Sequence, residues 1–307
     1  MAAKVKCDAI LMLGFGGPTR ADQVRPFLDN VLRGRPIPRE RYEEVVRHYA
    51  LLGGHSPYND LTMRQAAALR EALANKGANV PVAVGMRNWE PYIADSLRAL
   101  ANGGARRVLG FVMAAHRSEA SFERYQSSVN DARAALGEAA PELVYPETWH
   151  DHPLFIAAMA SRAREAYSRF EPPERPRSRL IFTAHSIPLA MAQAGQYVEQ
   201  LTQSARMVAA ELGIGAWQFA YQSRSGSPRE AWLEPDIKET LRSLDAKSAV
   251  LVPLGFLCDH IEVLYDLDID AAQVAREAGI RMERAPTVGD HPLFIEMMAS
   301  IAAAHVR

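Results

Sequence analysis

The sequence predicts an α/β protein built from two similar domains, each with a parallel sheet flanked by helices. Three observations lead to this fold class. Short apolar runs rich in Val, Ile, Leu and Phe alternate with amphipathic stretches of helical period, an order typical of parallel sheets. Several segments recur in the same order in the two halves of the chain. The length of 307 residues suits two domains of about 150 residues each.

The clearest repeat is DHPLFIAAMAS at 151–161, which returns as DHPLFIEMMAS at 290–300. WEPYIADSLRAL at 89–100 similarly resembles WLEPDIKETLRSL at 232–244. The other two pairs are VLGFVMAAH at 108–116 with VLVPLGFLCDH at 250–260, and AILMLGFGGP at 9–18 with RLIFTAHSIP at 179–188. The first pair is 139 residues apart, a period far too long for a solenoid. The repeat therefore predicts two similar domains.

The repeat also predicts where the domains begin and end. We expect the first domain at 1–150, together with a C-terminal helix at about 290–307 that returns to it, and the second domain at 151–289. The segment EPPERPRS at 171–178 has the proline and charge content of a linker. Because open parallel sheets bind ligands outside the carboxyl ends of their strands, we expect a ligand cleft between the domains.

Composition excludes several classes of protein. Lys and Arg number 35 against 36 Asp and Glu, so no global field attracts nucleic acid, and we expect no nucleic-acid partner. Two cysteines, Cys7 and Cys258, are too few for a disulfide framework or a four-thiolate cluster. No signal peptide or apolar stretch of about 20 residues is visible. We expect a cytoplasmic protein without a transmembrane segment, and peripheral membrane contact stays open.

Aligning the repeats shows where the two halves differ chemically. The proline of GFGGP aligned with that of AHSIP pairs Phe15 with His185. The runs VLGFVMAAH and VLVPLGFLCDH each end in a histidine, and aligning these two histidines pairs Ser118 with Glu262. The second half therefore has an imidazole and a carboxylate at strand ends, where the first half has an aromatic ring and a hydroxyl. This asymmetry predicts a ligand cleft with one wall that carries the catalytic groups and one wall that binds the ligand.

His185 and Glu262 together suit two kinds of chemistry. Nitrogen and oxygen ligands bind a divalent transition metal, and the same groups remove protons near neutral pH. Two ligands alone suit transient delivery of a metal better than storage. A hydrogen-bonded structural histidine and a carboxylate at a helix N-terminus are the alternative interpretations.

Other polar and glycine-rich segments carry weaker signals. GFGGP is neither a dinucleotide fingerprint nor a phosphate-binding P-loop, so its glycines are expected to let the backbone approach a bulky ligand. Arg33 and Arg35 flank a glycine after an amphipathic segment and suit bidentate binding of carboxylates. Asp266, Asp268 and Asp270 are expected in a solvated acidic turn.

Six motifs in order, between residues 8 and 300, resemble those of the ferrochelatases, in particular the coproporphyrin ferrochelatases of actinobacteria. They are LMLGFGGP, VLRGR to HYALLGGHSP, MRNWEPYIADSL, FTAHSIP, YQSRSGSPREAWLEPD and VPLGFLCDHIEVLYDLD. The resemblance implies two Rossmann-like domains of the chelatase type with a porphyrin cleft. It also implies a lyase-class metal chelatase that inserts ferrous iron into coproporphyrin III in haem biosynthesis. Insertion into protoporphyrin IX as the terminal step, and a non-catalytic tetrapyrrole- or metal-binding protein, are the alternatives.

The resemblance also implies roles for individual residues. His185 matches the family's iron-ligating and proton-accepting histidine, and Glu262 matches its acidic partner, so both are expected as catalytic residues and metal ligands. The expected porphyrin contacts are Phe15, Arg33, Tyr49, Ser56 and Tyr125. Ferrous iron and porphyrin are substrates, and no organic cofactor or iron–sulfur cluster is expected.

Some positions depart from the family pattern. Phe15 stands where some members have a tyrosine that approaches the metal, and Asn88 where some have a histidine. Asp266 and Asp270 match a peripheral metal-binding stretch of some members, but His48 replaces the arginine near it.

Overall fold

A computed structural model describes residues 6–225 and 230–306 and divides the chain into two compact units. Unit 1 contains the chain up to Met113, Ala120–Glu147 and the chain from Phe294 onward. Unit 2 contains Ala114–Glu119 and Thr148–Leu293. Part of the YQSRSGSPREAWLEPD motif, residues 226–229, lies outside the described residues, as does the last residue of the predicted helix at 290–307.

Unit 1 contains a four-stranded parallel sheet with the strand order β2-β1-β3-β4. Its strands are β1 (Ala9–Gly14), β2 (Val82–Met86), β3 (Arg107–Val112) and β4 (Glu142–Val144). Its helices are α1 (Val24–Leu32), α2 (Arg39–Leu51), α3 (Tyr58–Asn75), α4 (Ile93–Asn102) and α5 (Arg124–Leu136). Every residue of β1 is buried, as expected for a central strand whose sheet is covered on both faces.

Unit 2 contains a second four-stranded parallel sheet, with the equivalent order β6-β5-β7-β8. Its strands are β5 (Arg179–His185), β6 (Trp217–Gln222), β7 (Ser248–Val252) and β8 (Arg281–Arg284). Its helices are α6 (Pro153–Tyr167), α7 (Leu189–Ala194), α8 (Tyr197–Leu212), α9 (Ile237–Arg242), α10 (Ile261–Leu264) and α11 (Ala272–Glu277). A π-helical turn at Asp266–Ala271 joins α10 to α11. The predicted α/β class with two similar parallel-sheet domains is confirmed.

The DHPLF repeat produces two equivalent helix starts. Helix α6 and the last helix, α12 (Pro292–Ala303), both begin at the proline of the repeat. In each, the preceding histidine caps the helix: Nδ1 of His152 accepts from the Leu154 amide at 3.2 Å, and Nδ1 of His291 accepts from the Leu293 amide at 3.2 Å. From Phe294 onward the last helix belongs to unit 1, where Glu296 pairs with Lys76 at 2.6 Å.

The segment EPPERPRS does not connect two domains, so the linker interpretation was wrong. It joins α6 to β5 inside unit 2 and forms a short 3₁₀ turn at Arg175–Arg177. Its prolines and charges serve that turn: Arg281 pairs with Glu174 at 2.8 Å, and Nε of Arg175 donates to the Phe170 carbonyl at 3.0 Å. Within the described part of the chain, no helix is both long enough and apolar enough to cross a bilayer.

Candidate active site

His185 is the last residue of β5, an inner strand of the sheet of unit 2 that pairs with β6 and β7. The Tyr197 hydroxyl donates to its carbonyl at 3.1 Å, and its Nδ1 contacts the Ser186 carbonyl. These contacts hold the residue at the carboxyl end of the strand. Its side chain is 27% exposed, so a ligand can reach the imidazole.

Glu262 lies on the short helix α10, which follows β7. The loop that leads to α10 crosses onto β5, where the Gly255 amide donates to the Thr183 carbonyl at 3.1 Å. A Cβ atom at Gly255 would lie 2.7 Å from the Ala184 Cβ, so only glycine permits this crossing. The strand order changes direction between β5 and β7, and open α/β sheets bind ligands at such a switch point.

The structure brings the two predicted catalytic side chains together. Nε2 of His185 lies 3.7 Å from Oε1 of Glu262. The other carboxylate oxygen, Oε2, lies 3.4 Å from Nε2 of His260, a residue that the sequence analysis did not single out. Glu262 is therefore flanked by two imidazoles. In the chain outside residues 1–5, 226–229 and 307, no group of three His, Cys, Asp or Glu side chains is arranged to hold a metal ion.

Opposing effects set the charges of this pair. Burial alone would lower the pKa of His185, but the adjacent Glu262 carboxylate, the Ser186 carbonyl and Asp266 together outweigh burial and raise it. Burial alone would raise the pKa of Glu262, but His185 and His260 hold it well below its usual range. Burial also raises the pKa of Asp266 to about 6, and the nearby Glu262 charge adds to that rise. The metal-free site therefore favours a protonated imidazole next to an ionised carboxylate.

An arginine from β8 anchors the segment that carries Glu262. Nε of Arg284 donates to Asp268 at 2.6 Å, and its Nη1 donates to Asp259 at 3.1 Å. Asp259 precedes Glu262 in the chain and Asp268 follows it, so one buried guanidinium ties down both sides of the segment. Both carboxylates raise the already high pKa of Arg284 against the effect of burial.

The acidic stretch is more than a solvated turn. The Ser223 hydroxyl donates to Asp266, and Lys238 pairs with Asp270 at 3.3 Å. With Arg284 on Asp268, each of the three aspartates has a different partner. The turn is partly solvated, as expected: Asp268 is exposed and Asp266 and Asp270 are part-buried, while the π-helical turn gives each carboxylate a partner within unit 2.

In unit 1, aromatic rings surround Phe27 at the carboxyl ends of β1 and β2. The ring centroid of Phe27 lies 6.3 Å from Phe15, 6.2 Å from Tyr49 and 6.1 Å from Trp89, all in edge-to-face geometry. Phe15 is 36% exposed, whereas Tyr49 is buried. The structure thus brings two predicted porphyrin contacts, Phe15 and Tyr49, into one apolar cluster, and Phe15 forms its accessible face.

The glycines of GFGGP occupy crowded positions within unit 1. A Cβ atom at Gly17 would lie 2.9 Å from the Ser56 Cβ, and one at Gly16 would lie 3.0 Å from the Trp89 amide nitrogen. Gly16 also has a φ of +88°, which favours glycine. These glycines therefore let the loop approach other segments of unit 1. Asn88 completes the contact, since its Nδ2 donates to the Phe15 carbonyl at 3.2 Å.

The remaining predicted porphyrin contacts differ in burial. Ser56 is buried, and its amide donates to the Pro18 carbonyl at 2.8 Å. Tyr125 is also buried, and burial raises the pKa of its hydroxyl well above the usual range. Arg33 is exposed and ends α1 in a left-handed conformation, with a φ of 50°.

Arg87, which the sequence analysis missed, adds to the charge near Tyr125. Its Nε is buried, and within residues 6–225 and 230–306 that nitrogen has no hydrogen-bond partner. Burial lowers the pKa of its guanidinium, and repulsion from Arg33, Arg124 and Arg35 lowers it further. These four arginines form a local cationic cluster in a chain of net charge −1. The feature of the sequence that could have identified Arg87 as a site residue was its position directly after β2.

Comparison with solved structures shows which known fold this chain resembles. SirB from Bacillus subtilis with Fe³⁺ superposes with a TM-score of 0.59 at 13% identity, covering 95% of this chain and 93% of that one. The sirohydrochlorin chelatase SirB from Bacillus subtilis subspecies spizizenii in complex with cobalt has a TM-score of 0.56 at 13% identity, covering 97% and 94%. At this identity the likeness concerns the fold, which is the chelatase fold.

Sequence comparison identifies the family. The ferrochelatase family model matches residues 7–306. A protein named ferrochelatase from Rhodopirellula baltica is 42% identical over 96% of this chain and 85% of its own length. A coproporphyrin III ferrochelatase from Mycolicibacterium smegmatis is 43% identical, covering 96% and 88%, and one from Nocardia farcinica is 40% identical, covering 97% and 88%. The chain therefore belongs to the ferrochelatase family of metal chelatases, as its motifs predicted, and is an enzyme of the lyase class.

Proposed function

We propose that the protein inserts ferrous iron into coproporphyrin III, as a step of haem biosynthesis. Curated relatives that carry the name coproporphyrin III ferrochelatase support this substrate, since they match nearly the whole chain at about 40% identity. The observation that carries the catalytic part is the placement of Nε2 of His185, at the carboxyl end of β5, 3.7 Å from Oε1 of Glu262 on α10. A cytoplasmic location stays a prediction.

The reaction exchanges two pyrrole protons for one ferrous ion and releases both protons. His185 offers a nitrogen ligand and Glu262 an oxygen ligand, a set that suits divalent iron. Because the imidazole must lose its proton before it binds a metal, iron and protons compete for His185. The two residues form a coupled pair, so proton removal and iron delivery are assigned to the pair.

Unit 1 supplies the groups that would hold the macrocycle. Phe15 presents an exposed aromatic face beside Trp89 that can press on a porphyrin plane and bend it, which tips the pyrrole lone pairs out of that plane. Strain of this kind is offset by contacts remote from the reacting atoms. The candidates for those contacts are the propionates.

The cationic cluster supports coproporphyrin over protoporphyrin IX. Coproporphyrin carries two more propionates and needs more polar partners. Arg87 has a buried nitrogen without a hydrogen-bond partner in the described chain, and three further arginines act on it. Guanidinium groups bind carboxylates through paired hydrogen bonds. Protoporphyrin IX is the second candidate substrate, because the name of the Rhodopirellula baltica relative specifies no porphyrin.

A side-by-side metalation assay tests the proposal. Purified protein is supplied anaerobically with ferrous iron and either coproporphyrin III or protoporphyrin IX, and kcat/KM is compared. We expect the higher kcat/KM with coproporphyrin III. A higher value with protoporphyrin IX would assign the protein to the terminal step instead. Tight binding of both porphyrins without turnover would contradict catalysis and identify a tetrapyrrole-binding protein.

A further inference from the structure

We infer that Gln222 is a positioning residue that holds the two catalytic side chains, His185 and Glu262, at their working separation. Gln222 is the last residue of β6 and pairs in register with His185, the last residue of β5. This inference rests on the proposed function, because it assigns Gln222 to the site that would deliver iron.

The hydrogen bonds of Gln222 connect the two segments that carry the catalytic pair. Its main-chain carbonyl accepts from the amide of Ser186, the residue after His185, at 2.7 Å. Its side-chain Nε2 donates to the main-chain carbonyl of Glu262. Gln222 therefore holds the main chain next to both catalytic side chains. The contact with the Glu262 carbonyl depends on the side-chain amide of Gln222 alone.

The burial of Gln222 argues against a role in packing alone. The residue is 1% exposed, and its Oε1 has no hydrogen-bond partner among the residues that the structure describes. An unsatisfied buried acceptor is unfavourable, and an apolar side chain of the same length would fill the space without it. An amide at this position is therefore explained by the bond that it donates to the Glu262 segment. Residues that orient metal ligands in this way affect metal affinity and activity strongly.

The test compares Gln222→Met, which keeps the length of the side chain and removes the amide, with the wild-type protein. Iron insertion into coproporphyrin III is measured as kcat and KM, and binding of cobalt(II) chloride, without porphyrin, is measured by calorimetry. We expect kcat to fall about 10- to 100-fold and cobalt affinity to fall similarly, with KM for the porphyrin unchanged. A structural role alone would lower the amount of folded protein without this separation of kcat from KM.

Gln218→Met is the matched control, because Gln218 lies on the same strand but is exposed. It is expected to leave kcat and cobalt affinity at wild-type values. If Gln222→Met does not fold, Gln222→Asn serves in its place, because it keeps the amide but shortens its reach, and the same losses are expected. Values of kcat and cobalt affinity within twofold of wild type in the folded variant would overturn the inference.

The cobalt measurement separates this inference from the proposed function. If the wild-type protein binds cobalt through His185 but inserts iron into neither porphyrin, the proposed function fails. The cobalt affinity of Gln222→Met, compared with that of wild type, then still tests whether Gln222 positions the site. If the wild-type protein inserts iron and Gln222→Met matches it, only the inference fails.

Discussion

At the scale of single residues, the charge of His185 is set by burial and by the groups next to the imidazole, chiefly Glu262. Burial lowers the pKa of the imidazole, and Glu262, the largest of the groups that oppose burial, raises it, so that the net shift is upward. The groups that act on the imidazole include Glu262, Asp266 and the Ser186 carbonyl, all of which favour its protonated form. A metal ion that binds the pair must therefore displace a proton, so binding strengthens as pH rises.

Glu262→Gln is expected to lower the pKa of His185, because burial then acts without the opposing carboxylate. An NMR titration of the imidazole protons in metal-free protein measures this change. Glu277→Gln, an exposed change on α11, is the control and is expected to leave the His185 pKa at its wild-type value. An equal pKa of His185 in Glu262→Gln and wild type would contradict the electrostatic account.

Asp266 is expected to make the protein less stable as pH rises. In the folded state it holds its proton up to a pKa of about 6, against 3.8 as the ordinary value. Between these values the folded state binds more protons than the unfolded state, so the free energy of unfolding falls with rising pH. Asp266→Asn removes this loss and is expected to raise stability at pH 7 by on the order of 1 kcal/mol.

Thermal unfolding at pH 4 and pH 7 checks this sign. The Tm of Asp266→Asn should exceed that of wild type at pH 7, and the difference should shrink at pH 4, where the wild-type carboxyl is protonated. A larger advantage at pH 4 than at pH 7 would show that the pKa of Asp266 is not raised.

At the residue level, the sequence singled out a site where chemistry and the repeat coincided, and the structure brings the two residues together, while their catalytic role stays a prediction. His185 and Glu262 stood out because the equivalent positions of the first half lack a titratable side chain. Gln222 and Arg87 did not stand out, since a glutamine or arginine at or just after the end of a strand is most often exposed. Their burial depends on packing between segments far apart in the chain, which periodicity does not reveal.

At the scale of elements, the loop between β7 and α10 decides where Glu262 lies. Gly255 lets this loop touch β5 one residue before His185, and its amide bonds to the Thr183 carbonyl at 3.1 Å. The sequence showed the apolar run and its closing histidine. It did not show that a missing Cβ atom allows the loop to cross the neighbouring strand.

Gly255→Ala is expected to lower both stability and kcat. The added Cβ would lie 2.7 Å from the Ala184 Cβ, so either the loop or β5 must shift. Overpacking of this kind costs about 1–3 kcal/mol, and the shift would separate His185 from Glu262. Denaturant unfolding and the metalation assay measure the two effects.

Gly215→Ala is the matched control, because among the residues that the structure describes no atom of another segment lies within 4 Å of a Cβ atom placed there. It should retain wild-type stability and kcat. A Gly255→Ala protein that is as stable and as active as Gly215→Ala would show that the loop crossing has no role in positioning Glu262.

At the scale of the whole molecule, the two sheets have the same strand order, which agrees with the two similar domains that the repeat predicted. The parallel sheets and the two equivalent histidine-capped helix starts were predictable because apolar periodicity and the DHPLF repeat are local features of the sequence. The assignment of the segment Ala114–Glu119 to unit 2 was not predictable from sequence, because this assignment depends only on tertiary contacts. The ligand cleft between the domains stays a prediction.

The charge distribution of the molecule leads to a prediction about substrate binding. The net charge is −1, yet four arginines act together in unit 1. Arg87→Met is expected to raise KM for coproporphyrin about tenfold, and to raise KM for protoporphyrin less, because a charge-assisted bond to a propionate is lost. The same substitution should raise Tm, since it removes a partly buried cation that other arginines repel.

Arg98→Met is the control for this charge change, because Arg98 is exposed on α4 and pairs with Asp95. It should leave both KM values unchanged. Equal KM values for coproporphyrin in Arg87→Met and Arg98→Met would show that the cationic cluster does not bind the propionates of the substrate.

The most direct test of the central claim is the rate of iron insertion into coproporphyrin III by wild-type protein and by His185→Ala, measured anaerobically at neutral pH. The account predicts turnover by the wild type and a loss of at least about 100-fold in kcat for His185→Ala, the size typical of losing a group that transfers protons. A folded His185→Ala protein that retains the wild-type rate would contradict the assignment of catalysis to the His185–Glu262 pair.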